Sequence, residues 1–252
     1  MTGIVEEDFL EIDARSADEV AMRVLALHAL ASRLVIEQFA SKGTSHPESD
    51  IDEMSFDLRV FIAESGIGAI LSNDELTALD RPPGELSDDD LLPLDGSAQA
   101  LVTLLSACGV IPPLDFSSSE PAPLPQDTDL DQETVQSLRQ RLTIPADDRA
   151  AFLREIAELW LWRVESEIDI RSSHPAARRL LEQTVEEAAK EAMSAGLIQS
   201  TSKGDFATSG TPITEWNDEQ LSVFLVTAAA RLRALNWLCG FGEMWDDVPL
   251  YV

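Results

Sequence analysis

The sequence predicts an all-α protein: an irregular bundle of about seven or eight helices around a central, apolar N-terminal helix. Three observations carry this. Apolar residues recur at three- and four-residue spacing, as at Val20, Val24, Leu27, Ala31 and Leu34, and again at Leu221, Leu225, Ala228, Leu232 and Leu235. Two capping boxes, Ser16 with Glu19 and Ser72 with Glu75, stand where such stretches begin. Glycine or proline follows most of the stretches, where a helix must stop. With 44% apolar and 25% charged residues over 252 positions, the chain is globular and long enough to bury a core.

The first helix opens after Ser16 and stops near Gly43. Met22, Leu25, Leu30 and Ile36 make it apolar most of the way round, which is the reason to place it centrally, with Arg23, His28 and Arg33 as polar interruptions. A second helix, marked by Met54, Leu58, Phe61 and Ile62, ends before Gly66 and Gly68. A short third one starts at Ser72. The run RPPGELSDDD is then a loop, and a fourth helix spans Ser97 to Cys108, with Gly109 at its C-terminal turn and Pro112 and Pro113 beyond.

Residues 112–130 hold five of the 13 prolines and read as a linker between lobes 14–111 and 131–252 of a single domain, 1–252. After it, Val135, Leu138 and Leu142 mark a short helix. Pro145 opens a long one burying Phe152, Ile156, Leu159, Trp160 and Arg163, and a further helix runs from Ser173 and Pro175 to Gly196. The stretch LIQSTSKGDFATSGTPIT reads as a loop, although Lys203-Gly204-Asp205 suits a hairpin turn. The last helix starts after Thr214 and ends at Gly240.

Against 46 Asp and Glu stand 18 Lys and Arg, a formal net charge of -28. Such a chain repels phosphate backbones and anionic lipid, so neither nucleic acid nor membrane is an expected partner. No apolar run reads as the roughly 20 residues that span a bilayer. Residues 1–13 lack the basic and apolar regions of a secretory signal, and a cytoplasmic location is expected. Cys108 and Cys239 fall inside apolar helices, as buried free thiols would. The acidity itself is either a solubilising surface or a face that docks a basic partner or mimics nucleic acid.

Motifs for chemistry are sparse. There is no phosphate-cradling glycine loop, nucleophile elbow or metal-binding histidine pair, and His28, His46 and His174 are scattered. The carboxylate runs Asp88-Asp89-Asp90, Glu186-Glu187 and Asp246-Asp247 lack the spacing of a calcium loop, so no metal and no cofactor are expected. The most distinctive cluster is C-terminal: Asn236 and Trp237, then Gly240 and Gly242, then Trp245, Asp246 and Asp247. The glycines allow the chain to reverse so that Trp245 returns to the bundle, where Asp246 or Asp247 would seek an arginine, with Arg23 and Arg231 the preferred partners.

The C-terminal run RLRALNWLCGFGEMWDDVPL resembles the close of a bacterial family designated domain of unknown function 4272. The segments SADEVAMRVLALHALASRLV, LSNDELTAL and ALVTLLSACGVIPPL are similar to others of that family, in the same order. This resemblance implies an all-α fold and no assigned activity; it marks Arg231, Asn236, Trp237, Trp245, Asp246 and Asp247 as motif residues. Here the chain closes Pro249-Leu250-Tyr251-Val252, unlike the family's Asp-Thr pair.

Two functions follow. The first is a non-catalytic interaction or inhibitor-like module whose acidic faces dock a basic protein. The second is an enzyme or small-ligand binder with a helix-bundle pocket in which Arg23 and Arg33 meet the C-terminal Trp and Asp residues. A convergent Arg, Trp and Asp pocket would favour the second; a filled core with an acidic or apolar face would favour the first.

Overall fold

Ser16 caps the first helix as its spacing from Glu19 requires. Its hydroxyl accepts from the Glu19 amide at 3.3 Å, and the Glu19 carboxylate accepts from the Ser16 amide at 2.9 Å. The Ser16 hydroxyl, at 2.7 Å, and the Ser16 amide both donate to the Glu19 carboxylate and hold its carboxyl below its ordinary range. The computed structural model describes residues 12–41, 48–91, 94, 96–118, 130–199 and 201–251. Among them the helices are α1 (Ala17–Ser41), α2 (Glu48–Ser65), α3 (Asn73–Asp80), α4 (Asp88–Leu91), α5 (Ser97–Ala107), α6 (Val135–Arg141), α7 (Asp147–Ser172), α8 (Pro175–Ala195) and α9 (Asp218–Leu238). The protein is an all-α bundle.

Helix α1 packs against α2, α5 and α6, which is why Val20, Val24, Leu25, Leu27 and Leu30 are all buried although they lie on different faces. On the far side of α5, α9 packs against both α5 and α7. Leu101, Leu104 and Leu105 of α5 therefore belong to one buried cluster with α1 residues and with Leu232 and Leu235 of α9. This cluster takes in residues from both predicted lobes. Residues 112–118 of the expected linker have no regular structure, and 119–129 lie outside the described residues, as do Gly43 and His46.

The capping and stop signals translate directly. Ser72 and Glu75 form the predicted capping box on α3. Gly109, at φ 74°, lets the Val110 amide reach back to Leu105 O at 2.9 Å and so ends α5. His174 caps α8 by accepting from the Ala177 amide at 3.3 Å. Cys108 and Cys239 are buried free thiols, and burial pushes Cys108 up to about 12 and Cys239 up to about 11.

Two expectations are corrected. The 197–214 stretch is not a loop but a three-stranded antiparallel meander of β1 (Thr201–Ser202), β2 (Asp205–Thr208) and β3 (Thr211–Pro212). Both of its turns use a pair of left-handed residues, Lys203 with Gly204 and Ser209 with Gly210, the geometry that matches strand twist in a two-residue hairpin. What holds so small a sheet is buried charge: Arg163 of α7 donates to both Asp205 carboxylate oxygens, at 2.6 and 2.9 Å. The second correction concerns α9, which is long and apolar enough to cross a membrane by length and composition. Of its most apolar stretch, 61% is buried inside the fold, as in a core helix.

Candidate functional site

The C-terminal reversal is built on two glycines. Gly240 (φ 92°) and Gly242 (φ 82°) both adopt left-handed conformations. A Cβ on Gly240 would run into the Asp13 carbonyl oxygen, and one on Gly242 would lie 3.0 Å from the Val248 backbone. The space kept open at Gly240 admits residues 13–15, whose amides bond α9's last carbonyls: Asp13 to Cys239 O at 3.2 Å and Arg15 to Leu238 O at 2.9 Å. Trp245 thereby returns to the bundle, edge-on to Trp237 with ring centroids 5.8 Å apart.

Arg23 completes this cluster from α1. Its guanidinium lies 4.1 Å from the centroid of the Trp245 ring, and both terminal nitrogens donate to Glu75 of α3, NH1 at 3.1 Å. Arg23 and Glu75 are each only 2% exposed, so this is a fully desolvated ion pair. Glu75 also accepts from the Ser72 amide at 3.0 Å, so one carboxylate closes the α3 cap and neutralises Arg23. Arg15 stacks over Trp237 at 5.5 Å and donates to the Trp237 and Gly242 carbonyls. Together Arg15, Met22, Arg23, Trp237, Met244 and Trp245 line a cavity of about 170 Å³.

Of the residues marked in the sequence, Arg23, Trp237 and Trp245 meet here and the rest do not. Asn236 is buried behind α9: its Oδ1 accepts from Arg154 Nε at 2.7 Å, and its Nδ2 donates to Pro249 O at 2.7 Å, which ties down the C-terminal segment. Arg231 points to another face, donating to Phe116 O at 3.1 Å, Ser118 O at 3.2 Å and Gln99 Oε1 at 3.2 Å. Arg33 turns to the end of α3, bonding Ala78 O at 2.9 Å and Glu37 at 3.0 Å. Asp246 and Asp247 are exposed, and among the described residues neither has an arginine partner. The expected pairing fails because water solvates these carboxylates and they need no counter-ion, whereas Arg23 and Arg231 are already occupied.

Each guanidinium in the C-terminal cavity is thus engaged, and among the described residues only the Arg23 Nε is left without a partner there. Trp245 is partly exposed, so Trp245→Ala is expected to lower the unfolding free energy by about 2 kcal/mol, less than for a fully buried tryptophan. Urea denaturation checks this; loss of less than about 0.5 kcal/mol would mean that the stacked arrangement holds nothing together.

A larger opening, of about 470 Å³, lies between α1 and α2. Val35, Ile36, Met54, Leu58, Val60 and Phe61 line it, and among the described residues its charged lining is Asp57, Glu64 and Asp131, with no Lys or Arg. Val35 (42%) and Val60 (36%) are exposed, as is Phe56 (60%) elsewhere on α2. His28, expected as a hydrogen-bonded core residue, supports one wall: its ring meets Phe61 edge-on at 5.4 Å and its Nε2 lies 2.7 Å from Asp131 Oδ1. Sequence reading missed this groove. Its available signal was Val60, an apolar α2 residue off the Met54, Leu58 and Phe61 stripe.

No group of three or more His, Cys, Asp or Glu among the described residues is placed to hold a metal ion. No protein-family model, curated protein or solved structure matches this chain.

Proposed function

We propose that this protein is a non-catalytic interaction or inhibitor-like module that docks a basic, amphipathic helical segment of another protein in the α1–α2 groove. The observation that carries the reading is an open apolar groove whose charged lining, among the described residues, is acidic throughout, on a chain of net charge -28. A helix laid in the groove would anchor through apolar residues while its Lys and Arg met Asp57, Glu64 and Asp131. A cytoplasmic setting and membership of the family that the C-terminal run resembles are part of this proposal; neither adds a reaction.

The second reading, a small-ligand binder or enzyme centred on Arg23, Trp237 and Trp245, is favoured by the cavity those residues share. Its arginines are engaged by Glu75 and by carbonyls, which leaves little to recognise a ligand.

The test is fluorescence anisotropy with a labelled amphipathic helix of Leu and Lys. It is expected to bind with an affinity that falls as salt rises, and Val60→Asp is expected to weaken binding by about tenfold or more. A control helix with Glu in place of Lys should not bind. Equal binding by native protein and the Val60→Asp variant would overturn the proposal.

A further inference from the structure

A third, partly open cavity lies apart from the proposed docking groove and the C-terminal cavity. It measures about 290 Å³, and its walls are α5, the 113–117 strap, the start of α7 and the turn after α8. Phe152, Leu153, Ile156 and Trp160 of α7 make one wall apolar and aromatic. The strap opposite is held from three directions. Arg231 grips its Phe116 and Ser118 carbonyls, Thr208 Oγ1 donates to Ser117 O at 2.6 Å, and the Leu114 amide donates to Ser106 Oγ at 2.8 Å. A wall fixed by this many bonds keeps the space from collapsing onto its apolar side.

The charges around it are unusual for so acidic a chain. Among the described residues, the charged side chains lining the space are Arg149 and Asp115. Arg149 is exposed at its mouth, with its guanidinium 5.4 Å from the Phe152 ring and no carboxylate partner among the described residues. Behind the strap Arg231 is 1% exposed, and among the described residues it bonds only neutral oxygens, with its Nε and the neighbouring Gln99 Nε2 both unpartnered. Asp115 already accepts from the Ser117 amide at 2.9 Å and hydroxyl at 2.7 Å. Among the described residues, two arginines therefore stand against one aspartate at this apolar slot, Arg149 on its lining and Arg231 behind the strap. The Ser106 hydroxyl adds a donor, since its oxygen accepts from Leu114 while its own hydrogen has no acceptor among the described residues.

We infer that the slot between α5, α7 and the 113–117 strap binds a small amphipathic monoanion. Its apolar or aromatic body lies against Phe152, Ile156 and Trp160, and its carboxylate- or sulfonate-type head is taken by Arg149 and Ser106. The inference does not depend on the docking proposal.

The test compares two probes of the same shape: 8-anilinonaphthalene-1-sulfonate, which carries the anionic head, and N-phenyl-1-naphthylamine, which lacks it. The native protein should bind the sulfonate saturably at one site. Arg149→Gln, a change at an exposed position, should weaken the sulfonate by about tenfold and leave the neutral probe unchanged, because it removes a charge-assisted hydrogen bond and no apolar surface. Ala107→Phe, which fills the slot, should weaken both, with Ile156→Trp as its replicate should the first variant lose its near-ultraviolet circular dichroism. Val60→Asp, in the distant groove, should change neither. Sulfonate affinity within about twofold of native in Arg149→Gln would overturn the inference. So would equal loss of both probes in that variant, or full retention of both in the folded slot-filling variants.

Discussion

Replacing Asp205 by alanine is expected to lower the unfolding free energy by about 3 to 5 kcal/mol, the cost of taking the bidentate carboxylate from a buried guanidinium and orphaning buried donors. Arg163 is fully buried on α7, and its Nε and NH2 reach the Asp205 oxygens at 2.6 and 2.9 Å; Glu167 Oε2, at 2.9 Å, would be its one remaining counter-ion. Asp205 also accepts from the Phe206 amide at 2.7 Å and the Thr214 amide at 3.0 Å, so the substitution removes an acceptor from backbone donors in β2 and just after β3. The Phe206 ring, edge-on to Trp160 at 5.4 Å, should loosen with it, and the near-ultraviolet dichroism of Trp160 should fall. In a double-mutant cycle, Arg163→Met with Asp205→Ala should cost clearly less than the sum of the single changes. A loss below about 1 kcal/mol for Asp205→Ala would show that the meander does not rest on this pair.

Glu75→Ala is expected to cost a similar 3 to 5 kcal/mol, roughly, for a different combination of reasons. It strands the Arg23 guanidinium, which is 2% exposed, and it also removes one half of the α3 capping box. The two contributions separate by comparison with Ser72→Ala, which breaks the cap alone and should cost about 1 kcal/mol. Glu75→Gln keeps an oxygen for the Ser72 amide but not the charge, and should fall between them. Because Arg23 stacks on Trp245 at 4.1 Å, tryptophan emission should shift in the Glu75 variants and not in Ser72→Ala. If Glu75→Ala and Ser72→Ala lose the same stability in urea, the buried guanidinium has no need of its carboxylate and this account of the α1–α3 junction is wrong.

The fold was legible wherever the determinants are local. Capping at Ser16 and Ser72, the left-handed stops at Gly109 and Gly196, and the helical spacing along α1 and α9 all act within a few residues and read directly from the chain. Of the meander only the turn at Lys203-Gly204-Asp205 was legible, because the sheet rests on Arg163, 42 residues before Asp205, and no local pattern announces a long-range ion pair. The same reason governs the site. Gly240 and Gly242 signalled the return of Trp245, but which arginine received it depended on Glu75 reaching α1 across 52 residues. Arg231 and Asn236 stand in the same C-terminal run as Trp237 yet point elsewhere, since successive helical positions are about 100° apart. The α1–α2 groove arises from two helices that fail to cover one another completely, a property of their pairing that neither helix carries alone.

The docking proposal is tested most directly by amide hydrogen exchange on the native protein with and without the Leu and Lys helix. The account predicts slowed exchange in residues 32–36 of α1 and 54–64 of α2, the segments that line the groove, with no change over 237–245. Protection of 237–245, around Trp237 and Trp245, with the α1–α2 segments unchanged would contradict it and place the binding surface at the C-terminal cavity instead.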